Sequence, residues 1–126
     1  MSTNEVNVKE IDEVPHYDGP GAIAGIKFHS AARALGVTAW GMNVIAIEPG
    51  VTAYPEHDHL GDGQEEVYVV LSGSATLKVG DEEWPLAAGS LARVGPAANR
   101  KILPGPDGVT LLAIGATPGK AYEPRR

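Results

Sequence analysis

The densest group of side chains capable of chemistry lies in the segment EPGVTAYPEHDHLGDGQEEVYVVLSG, from Glu48 to Gly73. His57 and His59 are separated by one residue, and alternate side chains of an extended backbone share a face, so the two imidazoles point the same way. Neutral imidazoles bind Fe, Ni, Cu and Zn. A neighbouring carboxylate would complete a two-histidine, one-carboxylate set that leaves positions open on a metal. In the run from Glu66 to Ser72, Val67, Val69 and Leu71 occupy one face, and Glu66, Tyr68, Val70 and Ser72 the other. Glu66 stands out there, because a carboxylate buried in an apolar strand demands a countercharge, a metal or hydrogen bonds.

Those residues need a β scaffold, and the rest of the chain supplies its pattern. From Val37 onward the apolar runs are WGMNVIAIEPG, EEVYVVLSG, SATLKVGDEEWPL, SLARVGP, RKILPG and VTLLAIG, separated by turn residues and without a long helical pattern between them. Short strands at this spacing predict a barrel or sandwich. Gly80-Asp81 predicts a tight hairpin in which Gly80 takes positive φ, and Pro85 places the return strand at an edge or makes it short. Residues 1–22 are polar, broken by Pro15, Gly19 and Pro20, and read as a loosely ordered arm. A short helix is predicted at about residues 29–35, with Gly36 as its stop. Residues 23–116 make one barrel domain, and 117–126 a surface tail on which Tyr122 offers a ring for docking.

The segment from Gly50 to Gly73 resembles the first conserved motif of cupins, which usually reads glycine, five residues, His-x-His, three or four residues, Glu, six residues, glycine. Here six residues separate Gly50 from His57, and counting back six from Gly73 lands on Glu66. The resemblance covers about residues 40–115. It implies an all-β fold, the double-stranded β-helix or jelly-roll barrel, with a short N-terminal helix or arm. It also implies a divalent transition metal (Fe, Mn, Ni, Cu or Zn) on His57, His59 and Glu66, a small-molecule ligand in the barrel, and a homodimer.

Two departures from the pattern matter. The loop LGDGQE between His59 and Glu66 has six residues, which Gly61 and Gly63 permit, and it brings Asp62 and Gln64 within reach of the site. The second cupin motif, registered on Gly89, has Gly95 at its proline, Ala97 at its glycine, Arg100 at its histidine and Pro104 at its asparagine. A guanidinium has no lone pair for a metal and stays charged. Two arrangements therefore stay open: a metal with Arg100 receiving an anionic substrate, or an Arg100–Glu66 pair in a metal-free polar pocket. Tyr68, Gln64 and Tyr54 join Arg100 as candidate substrate-binding residues.

Composition narrows the alternatives. Ten basic against sixteen acidic side chains give a net charge of −6, with no Lys/Arg cluster, which argues against nucleic acid and anionic membranes as partners. The absence of cysteine excludes disulfides, thiolate nucleophiles and cysteine-bound zinc. No apolar stretch is long enough for a membrane span, and the N-terminus lacks the apolar core of a secretory signal, so a cytoplasmic protein is expected. His16 and His29 read as surface or packing residues, and Trp40 and Trp84 as apolar bodies in a core or dimer contact. The strand phase leaves Arg93 undecided. Three functional classes remain: a metal-dependent enzyme of oxygenase or isomerase type, a binding module without chemistry, and a structural cupin with a vestigial pocket.

Overall fold

Two long strands carry the architecture: β3 (Glu65–Val79) and β6 (Arg100–Ala116), paired antiparallel from Glu65↔Ala116 to Val79↔Arg100. The computed structural model describes residues 5–124. The first half of β3 lies between β6 and β5 (Leu91–Val94), and its second half between β6 and β4 (Glu82–Ala87). On the other side of β6, β2 (Gly41–Ile47) pairs with Val109–Gly115, and β1 (Ile26–His29) pairs with β2. Each long strand thus serves two layers, which is the all-β jelly-roll barrel that the resemblance to cupins implies.

The layers join where the register of β3 on β6 shifts, between Val70 and Ser72 and again between Gly73 and Ala75. In the sequence these positions look like breaks. EEVYVVLSG and SATLKVG prove to be one strand, as do RKILPG and VTLLAIG, because the glycines and prolines bend the strands without ending them. Gly73 has φ +74°, and a methyl group on it would stand 2.1 Å from the Gly108 carbonyl oxygen. Gly73→Ala is therefore expected to cost at least about 2 kcal/mol in equilibrium urea unfolding, from left-handed strain plus a backbone collision. A loss under about 0.5 kcal/mol would show that the corner yields freely.

The hairpin forms as predicted: Val79 pairs with Glu82, Gly80 takes φ 59°, and β4, containing Pro85, lies at a sheet edge. The Tyr68 and Val70 side of β3 faces the core, with both residues buried, whereas Leu71 is exposed. Ile26, Ile45, Ile47, Ile102 and Leu111 pack against them. Helix α1 (Ala31–Leu35) starts later than predicted, because His29 belongs to β1 opposite Val44, and it ends on Gly36 at φ 79°.

The arm follows its own chain. After a 3-10 turn at Ile11–Glu13, Val14 is buried, its carbonyl lies 2.6 Å from His29 Nδ1, and the Tyr17 amide donates to the Phe28 carbonyl at 2.8 Å. His16 and His29 pack ring against ring, in keeping with a packing role. Trp40 and Trp84 are each 42% exposed, which corrects the expectation of a core position for either. No helix of the described residues is long and apolar enough to cross a membrane.

Candidate metal centre

A cavity of about 1080 Å³ opens into the barrel. Alternate positions of β2 supply Gly41, Asn43 and Ile45 to its wall, and β6 supplies Ala113 and Gly115. Both strands carry glycine at one level, since Gly41 pairs with Gly115. A methyl group on Gly115 would meet Gln64 Oε1 at 3.0 Å and Glu66 Cγ at 3.2 Å, so the missing side chain makes room for the carboxylate arm.

The histidine segment is irregular but anchored. The His57 amide donates to the Arg100 carbonyl at 3.0 Å, and the Arg100 amide returns a bond to the His57 carbonyl at 2.8 Å. The His59 amide donates to the Pro96 carbonyl at 2.9 Å. The backbone that carries the histidines is thus fixed to the start of β6, the segment that also presents Arg100.

These constraints bring His57, His59 and Glu66 together, with one ligating atom of each within 4.8 Å of the others. Glu66 Oε1 lies 3.8 Å from His57 Nε2 and 3.4 Å from His59 Nε2. Donors that share one ion at about 2.1 Å stand roughly 3–4 Å apart, so these separations suit a single metal. The ring tautomers suit it as well. His57 Nδ1 is 2.9 Å from the Pro55 carbonyl and His59 Nδ1 is 3.0 Å from Asp62 Oδ1, both acceptors, so in the neutral form of each ring Nδ1 carries the proton and Nε2 keeps its lone pair. His59 Nε2 is buried and has no hydrogen-bond partner among the described residues. A buried lone pair aimed at a carboxylate oxygen is a poor arrangement for a metal-free site and a good one for a ligand.

Beneath the triad lies a second set of contacts. Arg100 is fully buried and its guanidinium is engaged on three sides: Nη1 with Glu66 Oε1 at 2.5 Å, Nη2 with the Gly95 carbonyl at 2.8 Å, and Nε with the Ala98 carbonyl at 3.0 Å. The Tyr68 hydroxyl donates to the same Glu66 oxygen at 2.7 Å. Of the four residues named for substrate binding, Tyr54 and Gln64 line the cavity, whereas Arg100 and Tyr68 sit behind Glu66. Glu65 faces outward and binds Arg93 at 2.6 Å, which decides the side that Arg93 takes. Asp62, which the loop brings within reach of the site, holds the back of His59; its place three residues along in a glycine-rich turn is the available signal.

Charge and burial pull on these groups in opposite directions. Burial alone would raise the Glu66 pKa, but His57, the Tyr68 hydroxyl, His59 and Arg100 outweigh it and hold the carboxyl below its ordinary value. Glu66 in turn raises the His57 pKa above 6.5, against burial and with help from the Pro55 carbonyl. Burial pushes the Tyr54 hydroxyl up to about 12, and it raises Tyr68 also, so both phenols stay protonated.

The signs give a pH profile for the metal-free protein. The lowered Glu66 value contributes stability that is present above the unfolded carboxyl pKa and lost as pH falls through the folded one. The raised His57 value contributes stability that is present below 6.5 and lost as pH rises through the folded value. Urea midpoints should therefore peak on the weakly acidic side of neutrality, and His57→Asn should flatten the limb above it. An unchanged limb in that variant would remove His57 as its source.

Residues 43–114 match the cupin domain family. The chain is a cupin. Among curated proteins none matches it. This cupin is similar in structure to a sugar phosphate isomerase from a cupin superfamily of Silicibacter pomeroyi, at 22% identity and TM-score 0.72, covering 87% of this chain and 75% of that one. It is 30% identical to a proposed sugar phosphate isomerase of Acidithiobacillus ferrooxidans, at TM-score 0.65, covering 89% and 74% of the two chains. A predicted oxalate decarboxylase of Thermotoga maritima shares the fold at 18% identity and TM-score 0.70, covering 88% and 99%.

Proposed function

We propose that this cupin is a divalent-metal-dependent enzyme of isomerase type acting on a small polar or anionic molecule. One observation carries the reading: two imidazole Nε2 atoms, one of them buried without a hydrogen-bond partner among the described residues, and the Glu66 carboxylate converge on the cavity. The 30% identical relative described as a proposed sugar phosphate isomerase supports the reaction class.

His57, His59 and Glu66 would hold the ion, which when bound supplies a Lewis acid that polarises a substrate oxygen. The remaining work belongs to the chain. Arg100 and Tyr68 keep Glu66 ionised and aimed, and Asp62 and the Pro55 carbonyl keep the histidine lone pairs directed inward. Phe28, Ile45 and Ala113 give the wall an apolar section that excludes water, while the amides of Asn43 and Gln64 are available to substrate hydroxyls.

The test is exchange of substrate carbon-bound hydrogen with solvent. Tag-free protein loaded with each ion in turn is incubated in D₂O with phosphorylated aldoses and ketoses. The expected result is metal-dependent deuterium incorporation at the carbon beside the carbonyl, read by NMR. No incorporation and no interconversion of aldose and ketose with any ion and any sugar removes the isomerase reading. A metal-free binding module is the second reading, favoured by the Arg100–Glu66 pair, which already meets the carboxylate's need for a countercharge. A cytoplasmic location and a homodimer belong to the same proposal, the latter tested by light scattering at micromolar concentration.

A further inference from the structure

Strand β6 ends at Ala116, but the cavity wall continues beyond it, with Thr117 and Lys120 to Pro124 among its lining. The tail is seated by specific contacts. Thr117 Oγ1 donates to the Asp62 carbonyl at 2.8 Å, tying the tail to the turn that holds His59. The Lys120 amide donates to the Thr117 carbonyl at 3.2 Å, closing a turn in which Gly119 has φ 73°. Tyr122 lies over Gly41, where a methyl group would stand 2.9 Å from its hydroxyl oxygen and 3.3 Å from Cζ. The strand thus has no side chain where the tail crosses it.

The charges lining the cavity single out one residue of this tail. The carboxylates are Asp58, Asp62, Glu66 and Glu123, and Lys120 is the one lysine or arginine among the described lining residues. Glu66 is matched by Arg100, Asp62 is engaged by His59, and Asp58 accepts the Leu60 amide at 3.0 Å. The Lys120 ammonium, by contrast, is exposed and makes no hydrogen bond or ion pair with another described residue. A cation at a concave site that makes no ion pair with a described residue is suited to an anionic group, and lysine binds phosphate or carboxylate as a point charge without demanding a fixed approach.

We propose that Lys120 binds the phosphate or carboxylate end of a small anionic substrate whose other end reaches His57, His59 and Glu66, and that the C-terminal segment is a specificity-determining wall of the site. The inference rests on the reading of this cavity as a metal-assisted site. It adds the group that selects the substrate's charge.

Inorganic phosphate and malonate are the probes, titrated calorimetrically into tag-free protein with and without Mn²⁺, whose own binding is measured separately by electron paramagnetic resonance. Wild type should bind at least one of them, and which one it binds distinguishes phosphate from carboxylate. Lys120→Gln should weaken that binding at least about tenfold with Mn²⁺ affinity unchanged, and Lys120→Arg should keep it within about threefold, since the charge is what counts. Gly41→Val, which displaces Tyr122 and so shifts the tail while keeping the Lys120 charge, should also weaken it, by about fivefold or more. Equal affinity in the Lys120→Gln protein overturns the proposal, as does binding of neither probe by wild type, or loss of Mn²⁺ together with the anion in Lys120→Gln. If wild type binds no Mn²⁺, the metal reading fails by itself, and the titration without Mn²⁺ decides Lys120.

Discussion

Arg100→Met is expected to cost the metal-free protein about 3–5 kcal/mol of folding stability, the usual loss when one member of a buried ion pair is removed. At this chain length that is a fall in melting temperature of roughly 10 °C or more, readable by calorimetry. Arg100 is fully buried, and its removal leaves the Glu66 charge without its cationic partner, with only the Tyr68 hydroxyl donating to that oxygen, and the carbonyls of Gly95 and Ala98 without their guanidinium donor. The double variant Arg100→Met/Glu66→Gln should regain more than half of the loss, because it is the unpaired charge that is costly. Arg100→Lys should recover little, since one ammonium cannot reproduce three directed contacts. A divalent ion would replace the missing countercharge, so Mn²⁺ should raise the melting temperature of Arg100→Met more than that of wild type. A loss below about 1 kcal/mol in the single variant would show that water reaches Glu66 and that the pair is not a buried one.

Removal of either histidine should abolish stable metal binding. His57→Ala or His59→Ala takes away one of three ligands and is expected to lower affinity at least about 100-fold, since loss of a group behind a ligand already costs 10–100-fold. Asp62→Ala should show that smaller effect, because its carboxylate fixes the His59 tautomer 3.0 Å from Nδ1. His16→Ala is the control, its ring packed against His29 away from the cavity lining. The measurement is elemental analysis of tag-free protein after separate incubation with Fe, Mn, Ni, Cu and Zn and exhaustive dialysis. If wild type retains none of the five, the triad is not a metal centre, and the pocket works through hydrogen bonds and the Arg100–Glu66 pair.

The sequence carried the local rules of this protein. Period-two alternation placed Glu66, Tyr68 and Val70 on one face of β3, because strand geometry fixes side-chain direction one residue at a time, and the one-residue spacing of His57 and His59 marked them as a pair although their segment is irregular. Gly36, Gly80 and Pro85 likewise marked a helix stop, a tight turn and an edge strand. Where glycine and proline bend a strand without ending it, the same signals suggest a break: β3 and β6 each look like two strands in the sequence, since only the partner strand shows that pairing resumes after a bulge.

Long-range decisions were made by tertiary structure. Whether Arg100 would meet a substrate or Glu66 depended on its burial and on the carbonyls of Gly95 and Ala98 placed around it. That Asp62 would stand behind His59, and that Lys120 and Tyr122 would reach the mouth of a barrel whose strand had already ended, depended on contacts between segments distant in sequence, such as Thr117 with Asp62 and Tyr122 with Gly41. The sequence determined which chemical groups this cupin has and which way each strand presents them. The folded barrel determined which groups meet, because a charge or a lone pair takes its role from the neighbours that burial forces upon it.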